Sequence, residues 1–189
     1  MNTAQIAQVE LKSEAERWSW LANHHTGPTV WLITWKTAHR DKYPSRDQVL
    51  GALAAYGWVD GRRKKLDADQ AMQLIARRQQ TKWVRTYKER AERLITEDRM
   101  QPPGLCAIEQ ARVNGQWEVS DPVDDLEVPP DLREALDLRQ ASEWFDDAAP
   151  SYRRNVLRFM ATAICEETRA KWIMIIADYA AYGEKVPQY

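Results

Sequence analysis

Residues 56–67 read YGWVDGRRKKLD, and the interpretation of the whole fold starts from this stretch. Gly57 and Gly61 tolerate backbone angles that other residues resist, so a bend or bulge is expected here. In a strand, every second side chain lies on the same face. One face would then carry Trp58, Asp60, Arg62 and Lys64. The cations are typical of an edge strand that resists edge-to-edge pairing, and a recognition strand is the alternative.

Two further stretches complete a predicted sheet. Residues 29–36, TVWLITWK, are rich in β-branched and aromatic residues and predict a central strand covered on both faces. Residues 71–78 are expected to return as the antiparallel partner of residues 57–66, although part of this stretch would also fit a helix. These strands predict an α+β protein, in which a small antiparallel sheet is covered by helices and followed by a helical C-terminal part.

The helices are recognised by their caps and apolar stripes. Ser13 is a candidate N-cap, and Ser45 with Gln48 forms a candidate capping box. Residues 1–117 are therefore interpreted as an α+β core domain with a basic hairpin. Residues 118–130 are acidic and rich in proline, which predicts an extended linker. The remainder, residues 131–189, is expected to be a helical region packed on the core.

Composition limits the classes of function. The chain has 44% hydrophobic and 29% charged residues and a net charge of −1, as soluble globular proteins do. Residues 1–115 carry a net charge of +6 and residues 116–189 one of −7. Attraction between the halves is the favoured consequence, and binding of an external polyanion is the less favoured one.

The cysteines and the hydropathy pattern predict a cytoplasmic protein. Cys106 and Cys165 are far apart and lack the spacing of a metal site, so neither a disulfide framework nor a bound metal is expected. The N-terminal residues lack the apolar core of a signal peptide, and no later segment has the length of a membrane span. No cofactor is predicted.

Local catalytic signatures are missing from the sequence. It has no glycine-rich nucleotide motif, no H-E-x-x-H and no G-x-S-x-G, which favours a nonenzymatic protein. His24 and His25 follow a predicted helix, where capping or packing is favoured over metal binding or proton transfer.

The candidate binding residues combine cations with tryptophan. Most of the nine tryptophans fit core positions, but Trp58 and Trp83 lie beside cations and could form a stacking surface for a ligand. Residues 62–93 carry a net charge of +7, and arginines suit recognition of carboxylate or phosphate. A solvated face, or a docking surface for the acidic half, is the alternative. The full candidate set is Trp58, Asp60, Arg62, Lys64, Arg77, Arg78, Trp83 and His24.

Several short motifs resemble one known family. They are WSWLANH at 18–24, VWL at 30–32, YGWVDG at 56–61, RR at 77–78, YRR at 152–154 and ETR at 167–169. In this order they resemble the YdeI/OmpD-associated family, also called bacteriocin-protection proteins. The resemblance implies a bacterial protein linked to envelope stress or antimicrobial-peptide resistance, with no catalytic residues to carry over. Ala76, Tyr87 and Ile164 depart from the family pattern.

Two functional hypotheses follow. The first is nonenzymatic binding of an anionic small molecule or peptide through the face of Trp58 and Arg62, without nucleic acid binding or membrane insertion. The second is an enzyme that acts on a small acidic metabolite, with Asp60 as base, His24 as a second proton-transfer group and Arg62 as the substrate clamp.

Overall fold

A computed structural model describes residues 6–40, 42–79 and 82–187, which form two units. The first unit extends to Val119 and the second begins at Ser120. The first five residues of the predicted core domain lie outside the described residues. The predicted three-part division and the packing of the C-terminal region on the core stay predictions.

The first unit contains a four-stranded sheet. Its strands are β1 (Gln8–Glu10), β2 (Val30–Trp35), β3 (Trp58–Lys65) and β4 (Gln70–Arg77). Their order in the sheet is β1-β2-β4-β3, so β2 is central, as predicted, and β3 is an edge strand. The predicted antiparallel pairs β2–β4 and β3–β4 are confirmed, whereas the short strand β1 was not predicted and pairs with β2 in parallel. The α+β class is confirmed, with a mixed rather than a wholly antiparallel sheet.

Four helices accompany the sheet. They are α1 (Glu14–His24), α2 (Arg46–Ala55), α3 (Arg85–Thr96) and α4 (Pro102–Val113). The Ser13 side chain accepts the backbone N–H of Glu16, and Ser45 and Gln48 form the predicted capping box. The prolines at the start of α4 do not interrupt structure, because a proline at the first helical position loses no intrahelical hydrogen bond.

One face of the sheet forms the main core of this unit. Leu32 and Ile75 project from β2 and β4 into a cluster with Leu21 of α1 and Leu53 of α2. Trp58 of β3 completes it and is fully buried. A neighbouring cluster joins α3 to α4. Tyr87 of α3 also packs against the cluster that contains Trp58, so α3 lies on that side of the sheet.

The second unit is helical, as predicted. Its helices are α5 (Asp121–Asp124), α6 (Pro130–Asp137), α7 (Ser142–Asp147), α8 (Pro150–Met160) and α9 (Glu166–Ala181). Leu136, Phe145 and Val156 are among the fully buried residues of its core.

Residues 118–130 are not extended throughout, which corrects the prediction of an extended linker. Pro122 occupies the start of α5, where its fixed backbone angle suits a helix. The buried Asp124 side chain accepts a hydrogen bond from Arg158 of α8 at 3.0 Å. The segment is therefore held within the second unit by a charged contact.

Candidate functional site

The hairpin of β3 and β4 contains a bulge. Asp60 lies opposite Ile75, but the next registered pair is Arg63 with Gln73, so two residues of β3 face one residue of β4. The extra residue shifts the alternation of side chains on the bulged strand. Gly61 lies at this point, and an added Cβ there would be in ordinary contact with the Leu74 side chain at 3.6 Å.

The bulge separates the predicted binding residues. Residues directly opposite each other in adjacent strands share a face. Trp58 and Asp60 therefore lie on the helix-covered face, together with Arg63. Arg62 and Lys64 lie on the other face, above the ring of Trp31. The prediction that all four share one face is wrong, because the residue inserted at the bulge interrupts the strict alternation of side chains.

Trp58 and Trp83 are interior residues. Trp58 has no exposed surface, and its indole N–H donates to the backbone carbonyl of His25 at 2.9 Å. Trp83 is only 1% exposed and packs against Trp117, with 5.0 Å between ring centroids. Neither ring is available for stacking with a ligand in this conformation, so the core alternative describes both.

Asp60 belongs to a polar cluster beneath α3. Its carboxylate accepts hydrogen bonds from the Gln73 amide at 2.7 Å and from the Tyr87 hydroxyl. The side chain is 14% exposed, and the exposed Arg46 approaches it at 3.8 Å. Burial and the bond to Asp60 raise the pKa of Tyr87 to about 12. The Asp60 carboxylate thus accepts hydrogen bonds from two protein donors, as is usual for a structural carboxylate largely removed from solvent.

Arg78 fills the space beside this cluster. Its guanidinium carbon lies 4.0 Å from the Trp83 ring centroid and 4.4 Å from that of Tyr87. Burial lowers the pKa of Arg78 to about 10, and the proximity of Tyr87 and Asp60 acts in the opposite direction. The side chain contacts two aromatic rings, which is the geometry of cation–π stabilisation. Arg78 and Trp83 are therefore brought together, but inside the unit.

The other face of the sheet carries the cations that remain near the surface. We call it the cationic face and define it by Trp31, Ile33, Leu74, Arg62 and Lys64. Arg62 and Lys64 lie 5.5 and 5.3 Å from the Trp31 ring centroid. Within the part of the chain that the structure describes, neither cation has a carboxylate within ion-pair distance. Their charges are not neutralised by the described residues of the protein.

A cavity of about 680 Å³, which we call the sheet-end cavity, lies at one end of the sheet. Its lining includes Thr29, Val59 and Ala76, and Arg77 is its cation. Val59 and Ala76 are register partners on the face of Leu74, so the cavity adjoins the cationic face. The volume lies within the range of small-molecule sites.

His24 ends α1 and acts as a cap. Its Nδ1 lies 2.8 Å from the carbonyl oxygen of Trp20, and its ring stacks on the indole of Trp20 with 4.6 Å between centroids. His25 makes the same kind of contact with Ala22 at 3.0 Å. Both rings thus contact carbonyl oxygens near the end of α1, as the capping interpretation predicts. Asp60 and His24 share no hydrogen bond, so nothing in their arrangement supports the proton-transfer pair of the enzyme hypothesis.

Sequence reasoning missed three residues that organise the region. Tyr87 and Gln73 hold Asp60, and Trp31 supports the two surface cations. Trp83 precedes α3 and Tyr87 lies in its first turn, so their ring contact, with 6.4 Å between centroids, is not a helical-spacing contact that the sequence pattern would predict. Within the described ranges, no group of histidine, cysteine and acidic side chains could hold a metal ion, and no helix is long and apolar enough to cross a membrane.

Comparison with known families divides the chain in two. Residues 9–107, slightly more than half of its length, match the model of a family described as Domain of unknown function (DUF8412). The chain belongs to this family. Residues 125–183 match a second model, described as Bacteriocin-protection, YdeI or OmpD-Associated, so the predicted family resemblance is confirmed in this part. No curated protein and no solved structure gave a significant match.

The quoted motifs are divided between the two matched parts of the chain. Every candidate binding residue lies in the DUF8412 part, between His24 and Trp83. The family motifs of the YdeI/OmpD-associated part form structural contacts. Arg169 donates to Asp131 at 2.6 and 3.0 Å and so joins α9 to α6, and this contact lowers the pKa of the Asp131 carboxyl. Arg153 donates to the backbone of Asp146 at 3.0 Å.

Proposed function

We propose that this DUF8412 protein is a nonenzymatic binding protein whose cationic face accepts an anionic partner that also carries apolar groups, an acidic peptide being the form that suits this face best. One observation carries the proposal. Arg62 and Lys64 lie over Trp31 without a carboxylate partner among the described residues. The Trp31 ring supports both cations, and a supported guanidinium is already positioned for bidentate contact with a carboxylate.

The apolar neighbours of these cations favour a peptide over a simple anion. The register of β2 and β4 places three aliphatic side chains on this face, namely Ile33, Met72 and Leu74. All three are partly exposed. Covering such surface contributes roughly 25 cal/mol per Å² of apolar area. In an extended peptide every second side chain lies on the same face. A peptide with the repeat Glu-Ser-Leu-Ser would therefore present acidic and apolar side chains in turn on one face, which would match both the cations and these aliphatic side chains.

The sheet-end cavity extends the proposed site. Arg77 lines it, and its small residues Ala76 and Thr29 leave room for a side chain or a carboxyl terminus. Arg62 and Lys64 of the predicted set therefore carry the proposal. Arg77 lies opposite Trp58 in the register, on the other face, and contributes only where it lines the sheet-end cavity. Trp58, Trp83 and Arg78 support the scaffold beneath it.

The family description supports a role in bacterial stress or antimicrobial resistance. The model that matches residues 125–183 is named for bacteriocin protection. A cytoplasmic site of action is consistent with Cys106 and Cys165, which are both exposed and unpaired, because free thiols persist in a reducing compartment.

The test is direct binding of a dye-labelled peptide with the repeat Glu-Ser-Leu-Ser, followed by fluorescence anisotropy at physiological salt. Replacing both Arg62 and Lys64 by Ala should weaken binding about ten-fold or more, because a hydrogen bond to a charged group contributes about 1.5–3 kcal/mol. Arg63→Ala is the matched control. Arg63 has the same charge in the same strand but lies on the opposite face.

Two companion peptides separate charge from apolar contact. A peptide with the repeat Glu-Ser-Ser-Ser keeps the charge, and one with the repeat Lys-Ser-Leu-Ser keeps the apolar groups. We expect both to bind more weakly than the Glu-Ser-Leu-Ser peptide. Equal binding of the parent and the double variant, or an equal loss with Arg63→Ala, would refute the proposed face.

A further inference from the structure

A second cavity lies where α1, α2 and α3 meet, and we call it the α2 cavity. Its volume is about 340 Å³, at the lower end of the range for small-molecule sites. Its apolar lining consists of Trp18, Gly51, Ala52 and Leu94. None of these residues belongs to the cationic face or the sheet-end cavity, so this site is independent of the function proposed above.

Gly51 is an unexpected residue in this place. It lies in the middle of α2, where glycine destabilises a helix relative to alanine. It is buried, yet a Cβ built on it would meet no atom within 4 Å. Packing in the described part of the unit therefore does not require glycine here. The missing side chain leaves open space within the cavity.

Gly104 shows what a structural glycine looks like in the same unit. A Cβ on Gly104 would clash with the backbone oxygen of Ala55 and would lie 2.8 Å from that of Ala54. Close packing of α4 on α2 explains Gly104 completely. No such contact explains Gly51. What the glycine provides is the open space where a side chain would otherwise lie.

The rim of the α2 cavity carries charges of both signs. Arg99 contacts Glu14 at 2.7 Å, and Arg93 contacts Asp47 at 2.7 Å. Glu97 lies 3.9 Å from Arg93 and 3.7 Å from Arg99. The rim thus holds two guanidinium groups and three carboxylates, so a ligand with a single charge would be repelled by part of it. A ligand with both charges can pair with a guanidinium group and with a carboxylate at the same time.

We propose that the α2 cavity binds a small zwitterion, namely a free amino acid or a short peptide with free termini. Its carboxylate would pair with Arg93 or Arg99, and its ammonium group with Glu14 or Glu97. Its side chain would occupy the space above Gly51, against Trp18 and Leu94. The rim fixes the two charged groups, and the size of the apolar space selects the side chain.

The experiment is a titration of the full chain with the proteinogenic amino acids and glycylleucine, followed through the amide NMR signals of Gly51 and Ala52. At least one probe should give saturable shifts below about 10 mM, the range of a weak small-ligand site. Its N-acetyl amide derivative, which lacks both charges, should bind at least ten-fold more weakly. Saturation of none of the probes, or equal binding of the uncharged derivative, would overturn the proposal.

Three variants locate the site. Gly51→Leu should fill the cavity and weaken binding at least ten-fold, and Arg99→Gln should weaken it without filling the cavity. Arg62→Gln, which alters only the cationic face, should leave the dissociation constant unchanged. Undiminished binding to a folded Gly51→Leu protein would contradict the assignment. If Gly51→Leu does not fold, undiminished binding to Arg99→Gln would contradict it. Both tests are independent of the outcome at the cationic face.

Discussion

The first unit has two glycines within helices, Gly51 and Gly104. Replacing each by alanine tests the packing around it, and the two substitutions should change the free energy of unfolding in opposite directions. Gly51 lies in the interior of α2, and an added Cβ would meet nothing within 4 Å. Gly104 lies in the first turn of α4, and its Cβ would lie 2.6 Å from the Met100 sulfur and would also clash with backbone oxygens of α2. Replacing either by alanine makes the same chemical change, so the difference between the outcomes reports the surroundings.

The expected magnitudes differ in sign. Alanine is favoured over glycine in a helix interior by about 1 kcal/mol, so Gly51→Ala should raise the free energy of unfolding by about that amount. Gly104→Ala gains less from helix propensity, because Gly104 lies in the first turn of α4 rather than in its interior. It must also displace backbone oxygens that cannot rotate away, and overpacking of this kind costs about 1–3 kcal/mol or more. A net loss of stability is therefore expected.

The measurement is urea unfolding of the full chain, followed by tryptophan fluorescence. Seven of the nine tryptophans precede Val119, so the signal reports mainly the first unit. A shift of the midpoint without a change of slope indicates a change in stability alone. If Gly51→Ala proved neutral or destabilising, the space above α2 would not be open. Stabilisation by Gly104→Ala would refute the close approach of α4 to α2.

Three further outcomes are expected. Tyr87→Phe should lower the free energy of unfolding by about 1–3 kcal/mol in urea titrations, because the half-buried Asp60 carboxylate loses a donor; an unchanged value would contradict this contact. Hydrogen bonds from Arg169 depress the pKa of Asp131, so their stabilisation is present above the unfolded pKa of about 4 and is lost as pH falls below it. Asp131→Asn should reduce this acid-induced drop in thermal melts, and an identical pH profile would contradict the pairing. Because the net charge is −1, the full chain should not bind single- or double-stranded DNA at physiological salt in anisotropy assays, and tight, salt-resistant binding would reverse this expectation.

The strands and caps could be predicted because their signals are local. The β-branched and aromatic run of β2 and the capping box at Ser45 depend on neighbouring residues only, and both appear in the structure. Strand β1 has three residues and no apolar pattern, so its pairing with β2 depends on the tertiary fold rather than on propensity. The helix at Asp121–Asp124 was missed because its proline suits a helix start and an extended segment equally well.

The candidate site shows how one residue limits a prediction. Gly61 correctly indicated a bend or bulge, but the faces of β3 were assigned as if the alternation continued through it. One inserted residue reverses every assignment that follows. Arg62 therefore lies on the face of Trp31, whereas Asp60 lies beneath α3 beside Tyr87. A sequence pattern can locate a bulge, but the partner strand decides which residue is unpaired.

The basic segment 62–93 also shows why a linear charge count overstates a binding surface. Its net charge of +7 is not one patch, because the fold distributes the cations among different environments. Arg78 is buried between two rings, and Arg90 and Arg93 are paired with Asp47. Arg62 and Lys64 are set apart by a tryptophan that supports them and by the lack of a described carboxylate partner. The proposed binding of an anion therefore depends on these few supported cations rather than on the total charge, and their substitution is the informative test.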